Sequence, residues 1–255
     1  RDGLNFTKPE LGLFEFSGAK ANNIILTGTG THCFAAFKDG NPAAAPEARY
    51  KAVSAVFKKG LFAYQSADGV HWSWIKKEPV ITDGAFDSQN LAFWDAARGE
   101  YRAYWRFFGN GVRAIRTATS KDFVRWENQA DLRFVDSPVE HLYTNAVMPY
   151  FRAPHLFIGF PTRFQPKNQQ VEPVLMSSRD GVLFKRWPEP LIPITAPKDR
   201  DGNRSNYMTW GLIQLPGQDR ELSVYATEAY YAGPGSRVRR FVFRTDGFVS
   251  VRAGA

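Results

Sequence analysis

The stretch "SADGVHW" (Ser66–Trp72) ends an apolar run, turns at Asp-Gly and then presents one aromatic residue. Asp-Gly favours a tight turn, because Gly adopts positive φ freely and Asp can accept hydrogen bonds from the backbone that follows it. Related stretches occur four more times along the chain. They are "RDGLNF" (Arg1–Phe6), "TSKDFVRW" (Thr119–Trp126), "SSRDGVLF" (Ser177–Phe184) and "RTDGFVS" (Arg244–Ser250).

The five motifs recur at a nearly even period. Their aspartates are separated by 66, 54, 58 and 66 residues, and they are Asp2, Asp68, Asp122, Asp180 and Asp246. A period of this length is typical of repeat arrays and propeller blades. We therefore predict that these aspartates are structural turn residues. The third motif has Phe123 where the others have Gly, so its turn is expected to differ.

Composition favours an all-β protein with many turns. The chain has 255 residues, of which 44% are hydrophobic and 15% aromatic, with 21 Gly and 16 Pro. It has no apolar run of the length that a membrane-spanning helix needs, which predicts no membrane association. Cys33 is the only cysteine, so no internal disulfide can form. The chain begins with Arg rather than Met, which predicts a processed or excised piece whose signal peptide is missing.

The chain is basic, with a net charge of +8. A basic balance can serve nucleic acid, an anionic membrane surface or an acidic substrate. Lys and Arg are scattered through predicted strands and loops, and no nucleic-acid-binding motif is present, which predicts no nucleic-acid partner. Two readings of the charge stay open, ordinary solubility and attraction to an acidic sugar polymer.

The segment from Asn90 to Asn128 predicts one four-stranded unit. Its strands are expected at about 88–95, 100–108, 112–119 and 123–127, separated by Gly, Asp and Asn. Four such units follow one another, and the chain starts with what reads as the outer strand of another. We predict an all-β, five-bladed β-propeller, with four complete four-stranded blades plus that outer strand, forming one domain over 1–255. The alternative is a four-bladed ring with an additional N-terminal strand.

Strand direction predicts which polar residues share one mouth of such a propeller. The first strand of each blade lines the axis, and its start lies at the same end as the end of the second strand. Asp39 and Asp95 fall in the opposite turns and are predicted to be turn residues. The candidate mouth residues are His32, Asp87, Gln89, Asn90, Arg106, Glu140, His141, Tyr143, Asn145, Arg163, Tyr207, Trp210 and Glu228.

Asp87, Glu140 and Glu228 are the candidate catalytic residues at this mouth. Charged residues are rarely buried unless they are paired or used. Two carboxyl groups flanking a bond, one protonated and one ionised, are the apparatus of glycoside hydrolysis. The tyrosines and tryptophan, with Tyr230 and Tyr231, offer flat faces to sugar rings, and Arg106 and Arg163 could bind a uronate or sulfate. A purely structural ring of ion pairs is the alternative.

The pattern resembles the five-bladed β-propeller glycosidases, the superfamily of arabinanases, β-xylosidases, invertases and levanases. The resemblance rests on "SADGVHW" and "TSKDFVRW" and on acids before successive first strands. Stretches such as "FDSQNLAFWD" and "EHLYTNAVMPYFRAPHLFIGFPTRF" also resemble secreted bacterial propeller proteins of glycosidase-like type, which implies a secreted or periplasmic location. Proteins of that group often continue into a β-sandwich.

The resemblance implies three acids on separate blades. Asp87 matches one of the Asp roles, Glu140 matches the general acid, and the third acid is Glu228 or lies outside the chain. The invertase-type "NDPNG" is absent, and no Asp precedes the first strand of the first complete blade. The implied function is a glycoside hydrolase acting on a plant or algal polysaccharide or oligosaccharide.

Two alternative functions stay open. A sialidase-like exo-glycosidase would use Arg106, Arg163 and Arg204 to hold a carboxylate and Tyr207 as the nucleophile. A non-catalytic carbohydrate-binding propeller would bind sugar without cleaving it. His32, His141 and His155 lack the spacing of metal ligands, so no metal and no cofactor are predicted. A monomer is expected.

Overall fold

The computed structural model describes residues 3–194, 206–228 and 237–250. Within these residues the chain is all-β, with 18 strands, one short 3-10 turn (Pro46–Ala48) and no α-helix. The strands form four sheets in chain order, and neighbouring strands are antiparallel except for one pair. Each sheet corresponds to one of the four predicted repeat units.

The first two sheets are four-stranded meanders, as the sequence predicts, but the fourth strand of the second sheet begins at Glu127 and not at about 123, because residues 121–125 belong to the Ser/Asp turn. The first contains β1 (His32–Lys38), β2 (Tyr50–Val56), β3 (Gly60–Ser66) and β4 (Ser73–Trp74). The second contains β5 (Leu91–Asp95), β6 (Glu100–Gly109), β7 (Val112–Ser120) and β8 (Glu127–Asp131).

The third sheet is larger than predicted, with seven strands. The strand β9 (Arg133–Val135) pairs in parallel with the outermost strand of the repeat unit, and β10 (His141–Leu142) adds an edge strand. The second strand of the unit is split in two at Phe160-Pro161, where proline has no N–H to donate. The remaining strands are β11 (Met148–Tyr150), β12 (Ala153–Gly159), β13 (Thr162–Gln165), β14 (Gln170–Ser178) and β15 (Leu183–Pro190).

The fourth sheet has three described strands, β16 (Tyr207–Met208), β17 (Glu221–Glu228) and β18 (Arg237–Arg244). Its first strand has two residues, and the segment that follows pairs with β17 again only at a single bridge between Ile213 and Ser223. The predicted fourth strand of this unit runs into residues 251–255, which lie outside the described residues.

The N-terminal segment does not form the outer strand that the sequence predicts. Arg1 and Asp2 lie outside the described residues, and residues 3–31 contain no strand. The Tyr225 hydroxyl of β17 donates to the Gly3 carbonyl at 2.7 Å, and Gly30 accepts a hydrogen bond from Ser54 of β2. The segment therefore contacts the fourth sheet at one end and the first sheet at the other, and it adds no strand to either sheet. A count of five blades stays a prediction.

The repeated Ser/Asp turn has one geometry in three copies. The Asp68 carboxylate accepts hydrogen bonds from the backbone N–H groups of Val70 and His71, both at 2.8 Å, and Ser66 accepts one from Gly69 at 2.9 Å. The same bonds recur around Ser120 and Asp122 and around Ser178 and Asp180. These three aspartates are turn residues, which confirms the prediction for them.

The third copy was predicted to turn differently, and that prediction is wrong. Phe123 adopts φ of +68°, close to the +78° of Gly69 and the +80° of Gly181. Its ring is fully buried against Phe37 and Tyr101. A left-handed conformation costs a non-glycine residue about 1–2 kcal/mol, whereas burying a phenylalanine side chain contributes about 1.5–3 kcal/mol. Burial of the ring therefore compensates for the backbone strain.

The sheets pack face to face through aromatic pairs. Phe37 of the first sheet contacts Phe123 after the second, and Phe93 of the second sheet lies 6.3 Å from Phe157 of the third, measured between ring centroids. Phe160 stacks on Phe243 of the fourth sheet, with the two rings 2° from parallel. This packing places the starts of the first strands next to one another.

Replacing Phe123 by Gly tests this balance between burial and strain. We expect Phe123→Gly to lower the free energy of unfolding by about 2–4 kcal/mol, because the lost burial exceeds the relief of strain. Phe123→Ala keeps the strained φ and should be less stable than the glycine variant. Urea denaturation measures both. A glycine variant as stable as the wild type would contradict the argument.

The repeated turns also predict an acid-dependent loss of stability. Burial raises the pKa of Asp180, but hydrogen bonds from Val182, Leu183 and Ser178 outweigh it, so the pKa lies below its ordinary value of 3.8. A lowered folded-state pKa contributes stability that is present above pH 3.8 and is lost as the pH falls below it. We expect Asp180→Asn to be less stable at pH 7 and to lose less stability between pH 5 and pH 2, measured by denaturant titration at each pH.

Candidate functional site

A cavity of about 560 Å³ opens where the first strands of all four sheets begin. It is lined by residues 32–36, 87–91, 143–144, 207–210 and Thr227, and we call it the central cavity. Its volume lies within the range of small-molecule sites, roughly 300–1,000 Å³. The predicted site residues that line it are His32, Asp87, Gln89, Asn90, Tyr143, Tyr207 and Trp210.

Asp87 and Arg106 meet at the edge of this cavity, as the strand directions predict. The Arg106 guanidinium donates to Oδ1 of Asp87. The Arg106 side chain is only 4% exposed, whereas that of Asp87 is 64% exposed. The guanidinium also lies 4.9 Å from the Tyr143 ring centroid. A buried arginine thus holds one oxygen of Asp87 and leaves the carboxylate open to the cavity.

Three predicted binding residues use their amides to hold the wall of the cavity together. Oε1 of Gln89 accepts hydrogen bonds from the backbone N–H groups of Asn145 (3.1 Å) and Ala146 (2.6 Å). The Asn145 side chain donates back to the Gln89 carbonyl at 3.0 Å, and Asn90 donates to the Phe86 carbonyl at 2.8 Å. The contacts of Gln89 with Asn145 and Ala146 join the segments that lead into the second and third sheets, whereas the Asn90 contact is local.

Glu140 does not line the central cavity. Its carboxylate is paired with Arg186 at 2.6 Å and with Arg163 at 3.4 Å, and Arg163 is also paired with Glu172 at 2.7 Å. Glu140 is thus ion-paired with both Arg163 and Arg186. Glu140, His141 and Arg163 line a separate surface pocket of about 450 Å³.

His141 is held by the second sheet. Its Nδ1 accepts a hydrogen bond from the Arg113 backbone N–H at 3.1 Å, which places the ring proton of the neutral form on Nε2. Burial lowers the pKa of His141, and the positive charge of Arg113 lowers it further. The ring is therefore neutral near pH 7.

Glu228 is fully buried and faces away from the cavity. It is paired with Arg237 at 3.1 Å and Arg239 at 2.8 Å. Its neighbour Thr227 lines the cavity, and adjacent side chains of a strand point to opposite faces. Of the three candidate catalytic acids, Asp87 alone lines the central cavity. The predicted residues Arg204, Tyr230 and Tyr231 lie outside the described residues.

Aromatic rings shape the cavity walls. The Tyr143 and Tyr207 rings meet edge to face at 5.7 Å between centroids. The Trp210 indole stacks on Phe93 at 6.1 Å and donates from Nε1 to the Val147 carbonyl at 2.8 Å. Trp210 therefore belongs partly to the core, and the Tyr143 ring is itself contacted by the guanidinium groups of Arg106 and Arg113.

Asp39 and Asp95 carry structural contacts away from the cavity, as predicted for turn residues. Asp39 follows β1, and its carboxylate binds Lys51 and accepts a hydrogen bond from the Tyr101 hydroxyl at 2.6 Å. Asp95 ends β5 and pairs with Arg98 at 2.9 Å.

Sequence reasoning missed two residues of this region. Cys33 lines the central cavity at φ of +51°, and the sequence offered only the fact that it cannot form an internal disulfide. Arg113 of β7 stacks over Tyr143 at 4.9 Å and Phe164 at 4.6 Å. It lies in a third strand, whereas the predicted site residues come only from the first and second strands of each unit. Its position near the same end of the blade is the sequence signal that points to it.

The described residues show neither a metal site nor a membrane-spanning helix. Residues 3–194, 206–228 and 237–250 contain no group of three His, Cys, Asp or Glu side chains placed to hold a metal ion. They also contain no helix with the length and apolar character needed to cross a membrane.

The central cavity predicts how Cys33 will react. Burial raises the pKa of the Cys33 thiol and the negative charge of Asp87 raises it further, while Arg106 lowers it. The thiolate is the reactive form, so Asp87→Asn should increase the rate of alkylation by iodoacetamide at pH 8. Asp83→Asn is the matched control and should leave the rate unchanged. Equal rates in the wild type and Asp87→Asn would contradict this placement.

Comparison with solved structures shows which fold this is. An endo-arabinase from Bacteroides thetaiotaomicron matches with a TM-score of 0.59 and 12% identity, over 92% of this chain and 82% of that one. A β-1,2-mannobiose phosphorylase from Listeria innocua, solved with β-1,2-mannobiose, matches with a TM-score of 0.55 and 14% identity, over 77% and 54%. Fructan 1-exohydrolase IIa from Cichorium intybus matches with a TM-score of 0.52 and 12% identity, over 80% and 42%.

At 12–14% identity, these structural matches show the fold alone. The predicted resemblance to propeller glycosidases is confirmed at that level. The chain spans only about half of the phosphorylase and less of the exohydrolase. No protein-family model and no curated protein matches the sequence.

Proposed function

We propose that this protein is a glycoside hydrolase that acts on a plant or algal polysaccharide or oligosaccharide, with the central cavity as its active site. The observation that carries the proposal is Asp87. Its carboxylate lies open at the meeting point of four sheets and is held by the buried guanidinium of Arg106. The fold it shares with an endo-arabinase and a fructan exohydrolase supports the same reaction class.

The chemistry assigned to Asp87 follows from its surroundings. The carboxylate of Asp87 forms an ion pair with Arg106, an arrangement that suits the base or nucleophile of a glycosidase rather than its acid. Arg106 holds one oxygen, and the open side of the carboxylate can face the sugar or activate a water. Tyr143 and Tyr207 would pack against the sugar ring.

The reaction also needs a proton donor, and the proposal gives this role to Glu140. Glu140 lies three residues before Tyr143, on the segment that leads to the cavity wall. It must leave its ion pairs with Arg163 and Arg186 to carry a proton. The role therefore requires a local rearrangement when substrate binds.

The first experiment is an assay of sugar release. The protein is incubated with arabinan, fructan, pectic and sulfated algal polysaccharides, with and without inorganic phosphate, because one protein of this fold is a phosphorylase. We expect Asp87→Asn to lower release at least about hundredfold. Asp83→Asn should retain activity, because Asp83 is equally exposed and also arginine-paired but does not line the cavity. Full activity of Asp87→Asn would overturn the assignment.

Glu140→Gln separates an acid role from a structural one. If Glu140 protonates the leaving group, turnover of polysaccharide should fall while an aryl glycoside with a good leaving group is still cleaved. Glu172→Gln is the control, since Glu172 also pairs with Arg163. If both variants lose stability and neither changes the ratio of the two activities, Glu140 has only a structural role.

A carbohydrate-binding propeller without activity is the second candidate. The observation that favours it is the engagement of Glu140 and Glu228 in ion pairs away from the cavity. It predicts that sugar binds, that Tyr143→Ala weakens binding and that no sugar is released. The sialidase-like alternative has less support, because Arg163 and Tyr207 line different pockets. Secretion and a monomeric state stay predictions.

A further inference from the structure

A second cavity of about 560 Å³ adjoins the central cavity. We call it the side groove; it is lined by residues 55–60, residues 82 and 84–87, and His32. The two cavities share His32 and Asp87. A ligand that reaches the Asp87 carboxylate from the centre can therefore continue between the first and second sheets.

The walls of the side groove are fixed by the fold. The backbone N–H of Leu61 donates to the Ile81 carbonyl at 2.8 Å, and Val80 donates to the Leu61 carbonyl at 2.8 Å. A side chain at Gly60 would collide with the Ile81 carbonyl, so only glycine permits this close approach. On the other wall, the Trp105 indole donates to the Asp83 carbonyl at 2.8 Å. The groove is thus formed before any ligand arrives.

The hairpin tip at the groove carries an exposed aromatic ring and two lysines. Phe57 is 81% exposed, and an exposed ring beside a cavity offers a face on which a sugar can stack. Lys58 and Lys59 also line the groove, and in the described part of the chain no carboxylate lies within ion-pair distance of either. The ammonium group of Lys58 lies 5.4 Å from the centroid of the Phe57 ring.

The balance of charge in the groove is positive. Asp87 is the one carboxylate among its lining residues, and that group is already paired with Arg106. Asp83, at the groove's edge, is paired with Arg116 at 2.6 Å. The positive charges of Lys58 and Lys59 are therefore not neutralised by the groove itself.

We propose that the side groove is a subsite for an anionic sugar residue, carrying a carboxylate or sulfate, of the same chain whose neighbouring unit occupies the central cavity. Phe57 stacks on the ring, and Lys58 and Lys59 pair with the anion. The proposal rests on the proposed function and deepens it, since it makes acidic saccharides the preferred substrate class.

The test measures binding separately from turnover. The probes are oligosaccharides of galacturonate, of glucuronate-containing xylan and of sulfated galactan, with neutral arabino-oligosaccharides as the uncharged reference, titrated by calorimetry. We expect at least one acidic probe to bind more tightly than the neutral one and to weaken as salt rises, because exposed charges are screened.

The decisive variants are Phe57→Ala and Lys58→Ala/Lys59→Ala. The lysine double variant should weaken the acidic probe about tenfold, which corresponds to about 1.4 kcal/mol, and leave the neutral one unchanged. Phe57→Ala should weaken both. The matched control is Lys76→Ala/Lys77→Ala, an exposed pair that follows β4 and does not line the groove. If no acidic probe binds, or if the double variant binds like its control, the proposal is wrong.

The sugar-release assay separates this proposal from the hydrolase proposal. Groove-dependent binding with no release under any condition would reject the hydrolase and leave an acidic-saccharide binding site. Release of sugar with binding that ignores the groove variants would reject the subsite and leave the hydrolase.

Discussion

The central strands of each sheet are covered on both faces, and the rest of the structure depends on this constraint. In β2, β3 and β6, five or six consecutive residues are buried, whereas a sheet with one wet face would show alternation. The central strands of the first and second sheets are therefore covered on both faces. Aromatic pairs such as Phe93 with Phe157 fill the space between neighbours.

Both-face burial also decides where charge can lie. Arg106 continues a buried strand, so its guanidinium is acceptable there only because Asp87 neutralises it and Tyr143 covers it. The same ion pair that satisfies the arginine also orients the most accessible carboxylate of the central cavity. The Asp87–Arg106 ion pair thus both neutralises the buried arginine and holds the carboxylate that the proposed chemistry uses. Glu228 is also paired with arginines, but it is completely buried and does not line the central cavity.

Local patterns predicted pairs of residues better than they predicted the whole site. Strand direction alone brought Asp87 to Arg106 and Glu140 to Arg163, because the start of a first strand and the end of the second share one end of a hairpin. Arg186 could not be foreseen as a partner of Glu140, because it reaches that residue from a different strand of the sheet. Phe123 was misjudged for a related reason, since the burial that offsets its strained φ comes from rings on other strands.

The sequence by itself determined the repeat, the strand-and-turn composition and the turn role of the motif aspartates. These features depend on hydrogen bonds within two or three residues, such as those from Val70 and His71 to Asp68. Only the tertiary structure decided which acids face a cavity. Asp87, Glu140 and Glu228 look alike in the sequence, but their access to the cavity depends on arginines and sheet faces far along the chain. The side groove exists for the same reason, because its walls come from the β2–β3 hairpin and from the segment that leads into the second sheet.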